Sequence, residues 1–209
     1  MQTVYMRGAN WYEVSIAELK QLATDAREAV WEAAEENDRT PKIYLHWTAG
    51  HYDQPFDDYH VNILGDGRIL LPDTDLSIYR SHTYMRNSGS IGVTLCCAYN
   101  ADTEDLGPEP PTAKQIEVMA QAITAIADSL WLTISKKYVL THGEAADNED
   151  GMWCHDQYGP KTTCERWDLE YLGTDESPKC RPFAADGTRG GDVLRGKANW
   201  YRDQWKKSS

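Results

Sequence analysis

Two histidines stand where a sheet enzyme keeps its reagents. Lys42-Ile43-Tyr44-Leu45-His46-Trp47 alternates as a strand that His46 helps to close, and Tyr138 to Thr141 reads as a second short strand ending at His142. Polar, ligand-type residues at strand ends are where α/β sheets commonly place their sites. A hydrolytic zinc centre needs three protein donors and one open position for water. Two strand-end imidazoles therefore require a third donor, and the nearby candidates are Cys154, His155, Cys164 and Asp168. Spacing alone does not choose among them. Scattered histidines are more often surface or hydrogen-bonded core residues, so the metal reading needs further support.

The five cysteines offer another chemistry. Cys96 and Cys97 fall in an apolar, strand-like run and read as buried thiols. Cys154 and Cys164 lie in a polar loop and could pair; with no secretory leader visible, all are expected to be reduced. A cysteine hydrolase built on Cys154 and His155 is the rival. It is disfavoured because adjacent loop residues rarely hold thiol and imidazole in reactive geometry.

These residues need a scaffold. Ser15-Ile16-Ala17-Glu18 reads as a capping box, followed by apolar residues at helical spacing to about Asn37. Tyr59 to Leu64 and Arg68 to Leu71 form a hairpin about Gly65-Asp66-Gly67, and Ser90 to Tyr99 is an apolar central strand. Thr112-Ala113-Lys114-Gln115 opens a second capped helix running to about Lys136. A short helix is expected near Trp167 to Leu172, then loop from Gly173 to Asp192, then a short terminal helix over Asn199 to Trp205. Strands interleaved with two long helices predict an α/β fold, a mixed central β-sheet flanked by helices.

Composition narrows the function. The chain has 209 residues, 21 Lys plus Arg against 33 Asp plus Glu, and a net charge of −12. That balance lacks the footprint of a nucleic-acid binder and disfavours docking on anionic lipid. No apolar stretch approaches the roughly 18 residues that span a bilayer, so membrane insertion is not expected. The first 30 residues show no apolar leader core, so no cleavable secretory signal is expected. With 8 Trp and 12 Tyr against 2 Phe, the aromatic set favours rings with a polar handle, suited to sugars and peptides.

The wording around the histidines goes further. His46-Trp47-Thr48-Ala49-Gly50, the block from Tyr59-His60-Val61-Asn62 through Gly65-Asp66-Gly67-Arg68, and Ser81-His82 with Asn87 and Ser90-Ile91-Gly92-Val93 come in order. Thr141-His142-Gly143-Glu144 and Arg166-Trp167-Asp168-Leu169 follow. Together, over residues 42 to about 172, they resemble the type 2 N-acetylmuramoyl-L-alanine amidases and the related peptidoglycan recognition proteins. The resemblance implies Zn2+ held by His46, His142 and Asp168, with Cys164 the rival third ligand. It implies Tyr59 beside the reacting water and Arg166, where lysine is commoner, stabilising the developing oxyanion. His82 and Asn87 would hydrogen-bond substrate in the groove; Glu144 would orient a ligand or stay solvated. Thr94 stands where another branch of the family carries glutamate, which favours the tyrosine branch.

The implied activity is hydrolysis of the amide between N-acetylmuramic acid and L-alanine in bacterial peptidoglycan. The setting would be a monomeric phage or prophage endolysin, held in the cytoplasm until the host lyses. A binding-only recognition module is the alternative, but such relatives typically lose a ligand, and all three positions are filled here. The catalytic domain is expected over 1–172, with 173–209 as an extension whose Trp200, Tyr201 and Trp205 pack back on it.

Overall fold

The computed structural model describes residues 1–102, 104–154, 167–178 and 188–209. Its seven-stranded sheet has the order β1-β2-β5-β4-β6-β3-β7. Strands β4 (Val61–Ile63), β6 (Ser90–Leu95), β3 (Lys42–Trp47) and β7 (Val139–Thr141) run parallel to one another. Strands β5 (Ile69–Leu71), β2 (Ala9–Val14) and β1 (Gln2–Met6) extend the sheet in antiparallel fashion. The expected mixed α/β sheet with flanking helices is the observed fold.

The N-terminal hairpin β1–β2 is absent from the sequence reading. Its two-residue turn puts both Arg7 and Gly8 at positive φ, 53° and 86°, the mirror-image turn that matches strand twist. Asn-Gly or Asp-Gly would have announced it; Arg-Gly is a weaker signal.

Helix α1 (Ile16–Glu35) starts on the expected capping box and buries Leu19, Ala23, Ala26, Val30 and Ala34 along one stripe. Helix α2 (Ala113–Ser129) starts on the Thr112–Gln115 box but stops well short of Lys136. Its last carbonyls are taken by α1: Arg27 Nε–H donates to Ser129 O, and Trp31 Nε1–H donates to Leu130 O at 2.9 Å. Both helices share a core with Ile43, Leu45 and Trp47 on one face of the sheet, while Tyr44 packs with Leu140 and Ala145 on the other. His46 lies on that second face by alternation.

The C-terminal part also differs from expectation. Residues 167–172 form a turn, not a helix. Helix α4 (Gly190–Lys207) is far longer than the short element expected over Asn199 to Trp205. Gly190, Gly191 and Gly196 lower its intrinsic propensity and hide its start, yet Leu194 and Ala198 are fully buried against the core. Tyr201 donates to Glu117 of α2 at 2.7 Å and packs partly buried, whereas Trp200 is exposed.

Candidate metal centre

Strand register explains why two histidines 96 positions apart meet. In the β3–β7 pair Leu45 stands opposite Thr141, so the next residues, His46 and His142, leave parallel strands side by side. Thr141 caps the short helix α3 (His142–Ala146), its side chain accepting from Glu144 N–H while Glu144 accepts from Thr141 N–H. The chain therefore turns away at His142. Thr-x-x-Glu is a capping signature that the sequence carried openly.

Asp168 arrives from the turn at 167–170. The next residue, Leu169, is buried in a left-handed conformation at φ 60°. Such strain in a bulky residue persists only where surroundings fix it. Here Gly190 supplies the fixture, because a Cβ on it would collide with the Leu169 carbonyl.

His46 Nδ1 lies 3.1 Å from His142 Nδ1 and 3.3 Å from Asp168 Oδ2, and His142 Nδ1 lies 3.2 Å from the same oxygen. These three residues form a group that could hold a metal ion. A tetrahedral zinc with bonds of about 2.0–2.1 Å would hold its donors about 3.3–3.4 Å apart, so the triangle has the right size.

The protonation states also suit a cation. Burial lowers the His46 imidazole to about 4, so it is neutral near pH 7. Burial opposes the charge on Asp168, but the facing His142 and His46 outweigh it and hold the carboxyl at about 2. Ligation requires this set: neutral imidazole and ionised carboxylate.

A chain of hydrogen bonds sets the His46 tautomer. With Nδ1 turned to the centre, Nε2–H donates to Thr83 Oγ1 at 3.2 Å. The Thr83 hydroxyl then donates to His82 Nδ1 at 2.9 Å, and His82 Nε2–H to Ser90 Oγ at 3.3 Å. The Ser90 hydroxyl ends the chain on the Asn87 carbonyl at 2.9 Å. One proton arrangement satisfies every member, and burial keeps His82 neutral within it. Thr83, almost fully buried, escaped the sequence reading because a single threonine carries no motif.

The other expected residues are placed as follows. Tyr59 packs its ring 5.0 Å from that of His46. Burial and then the Asp168 charge push its phenol above its ordinary range, so it stays protonated and keeps an O–H to offer. His82 and Asn87 border a cleft of about 560 Å³ that reaches His142 and is rimmed by Tyr79, Tyr84 and Met85. Their polar atoms are engaged within the protein: Asn87 Oδ1 accepts from the N–H groups of His82 and Thr83 at 3.1 and 2.8 Å, and Nδ2 donates to Tyr79. Arg166, Cys164 and His155 lie outside the described residues. Cys96 and Cys97 are buried free thiols, and Cys154 is also free.

Buried ion pairs hold the frame. Arg86, fully buried, pairs with Asp150 at 2.5 Å and ties the 82–87 loop to the segment after α3. Glu144, two residues beyond His142, is neither a ligand partner nor solvated. It is wholly buried and receives Arg195 of α4 in two bonds of 2.7 and 2.8 Å. Glu170, two residues beyond Asp168, is likewise buried and receives Arg189 at 2.8 and 2.6 Å. Gly143 lets the segments that carry His142 and Asp168 touch, since a Cβ there would strike the Glu170 carboxylate.

A family model described as N-acetylmuramoyl-L-alanine amidase matches residues 10–164, a span that takes in His46, Tyr59, His82, Asn87 and His142 and stops short of Asp168. No curated protein and no solved structure matches the chain.

Proposed function

The chain belongs to the N-acetylmuramoyl-L-alanine amidase family, and from that premise we propose that it is a zinc enzyme whose metal is held by His46, His142 and Asp168. The observation that carries the reading is the triangle of donors with mutual distances of 3.1–3.3 Å. When bound there, zinc supplies Lewis-acid polarisation of the scissile carbonyl and a water of lowered pKa. The chain's own groups do the rest. His46 is held in one tautomer by Thr83, and Asp168 contributes the negative charge. Tyr59, kept protonated, donates a hydrogen bond to the oxygen that gains charge. Arg166, two positions before Asp168, is assigned to the same oxygen on its place in the sequence alone.

The substrate is the amide between N-acetylmuramic acid and L-alanine, and the cleft beside His142 with its Tyr79 and Tyr84 rim is where we place it. His82 and Asn87 act there as positioning residues, because their polar groups are spent on the loop and on Thr83. We extend the reading to a lytic, endolysin-type role with residues 1–172 as the catalytic portion. Metal analysis tests the core of this: one zinc per chain is expected, with release of stem peptides bearing new L-alanine amino termini from purified peptidoglycan. A chain that hydrolyses peptidoglycan equally well after metal is removed would overturn it. Lysis of permeabilised bacteria by added protein tests the biological role.

Two variants probe residues off the metal. Tyr59→Phe keeps the ring on His46 and removes the donor, so kcat is expected to fall about 10²-fold with zinc content unchanged. A wild-type rate would make Tyr59 a packing residue. Thr83→Val keeps the shape and leaves His46 Nε2–H unpaired, so zinc affinity should weaken by about 10–100-fold, read by competition with a chromophoric chelator. Unaltered affinity would remove Thr83 from the site.

A further inference from the structure

The end of α2 carries a residue that folding does not explain. Leu132 N–H donates to Ala127 O at 2.8 Å and Trp131 N–H to Asp128 O at 3.3 Å, the paired bonds that close a helix around one left-handed residue. That residue is Trp131, at φ 61°. Glycine is the usual occupant, because it alone has no Cβ to strain. Nor does the indole gain packing, being 73% exposed. A large ring held in strained backbone and turned to solvent gains little inside the fold beyond its contact with Arg27, a pattern that marks functional positions.

The ring is also braced. The Arg27 guanidinium sits 4.0 Å from its centroid and is anchored by its Nε–H on the Ser129 carbonyl. One face is thus covered, and the large exposure leaves the other open. Beside it runs a cleft of about 800 Å³ lined also by Asp25, Glu28, Trp31, Glu32 and Glu35, with all four carboxylate residues exposed. The cleft is remote from the metal centre. Gln115, in the first turn of α2, bonds to the carbonyls of Ile63 and Cys96 at the C-terminal ends of β4 and β6. The other end of α2, with Trp131 beyond it, therefore lies where the parallel strands begin, away from His46 and His142.

We propose that the Trp131 cleft is a second, non-catalytic site that binds the glycan strand of the wall polymer. A pyranose ring would lay its C–H face on the open side of the indole, and its hydroxyls would donate to Glu28 and Glu32. Two features of the cleft select this occupant. The guanidinium behind the ring repels a second cation stacked in front of it. The four carboxylates repel the anionic stem peptides of the same polymer. A neutral N-acetylated sugar chain meets neither penalty, and it brings the donors that the carboxylates accept. The polymer's identity rests on the peptidoglycan reading; the site itself does not depend on the metal.

The test uses Trp131→Gly, which places the preferred residue in the left-handed position, so the melting temperature should equal or exceed that of the parent. The probe is a soluble N-acetylglucosamine hexamer titrated by tryptophan fluorescence, alongside co-sedimentation with insoluble peptidoglycan. Affinity for the hexamer is expected to fall about tenfold or more, and the sedimented fraction should fall with it. The kcat/KM on a small soluble muropeptide should stay unchanged, and Glu32→Gln should give a smaller loss of hexamer affinity. Hexamer binding equal to the parent's overturns the site, even if the amidase is active. Loss of polylysine binding in place of hexamer binding overturns the choice of glycan. Should the protein prove inactive as an amidase while Trp131→Gly still abolishes hexamer binding, the glycan site stands and the catalytic reading falls.

Discussion

Alanine in place of His142 is expected to yield a folded protein that neither retains zinc nor hydrolyses peptidoglycan. Removing one donor leaves His46 and Asp168, and two protein ligands rarely hold zinc tightly. The imidazole borders the cleft, so its loss widens that open cleft where His46 would leave an enclosed cavity, and circular dichroism should be unchanged. His46→Ala should also lose metal and activity. That side chain is wholly buried, so a cavity forms and some stability is expected to go with it. Asp168→Asn keeps the shape and removes the charge, and it should weaken zinc retention most visibly at low metal concentration. Metal content by elemental analysis and stem-peptide release by mass spectrometry are read on the same samples. A His142→Ala protein that keeps one zinc, or that works without it, would dissolve the ligand assignment.

The meeting of His46 and His142 was legible because each stands at the end of a locally recognisable strand, whereas Asp168, in a turn where a helix was expected, was marked only by the family resemblance. Alternation marks β3, and the apolar run into Thr141-His142 marks β7; parallel pairing then brings His46 and His142 together. Capping boxes at Ser15 and Thr112 gave the helix starts correctly for the same local reason. What was not legible is long-range. His82 reads as a groove residue from its neighbours, but only the fold shows it packed under Gly92 between Thr83 and Ser90. Glu144 looks like any surface carboxylate until α4 is folded back upon it, and the glycines of α4 conceal that helix in the sequence. The end of α2 was missed because the stop signal is a tryptophan in a glycine's place, with its capping carbonyls claimed by Arg27 and Trp31 more than 90 positions away.

Arg195→Ala is expected to be the most damaging substitution outside the metal triad. It strands the Glu144 carboxylate, which has no accessible surface; the remaining cation, Lys136, is 3.7 Å away and 42% exposed. Removing one partner of a buried pair costs about 3–5 kcal/mol, because the other charge stays desolvated and unpaired. At about 2–4 °C per kcal/mol for a chain of this size, the melting temperature should drop by roughly 10 °C. Replacing both partners, Glu144→Gln with Arg195→Met, removes the stranded charge and should recover most of the loss. The consequence for the site follows from position: each arginine grips a carboxylate two residues beyond a proposed ligand, Arg195 behind His142 and Arg189 behind Asp168. Zinc affinity of Arg195→Ala, measured well below its melting temperature, should therefore also weaken, since His142 loses the brace that fixes α3. A lower melting temperature with unaltered zinc affinity would make α4 a brace for the fold alone. An unchanged melting temperature would mean that Glu144 is not held by Arg195 at all.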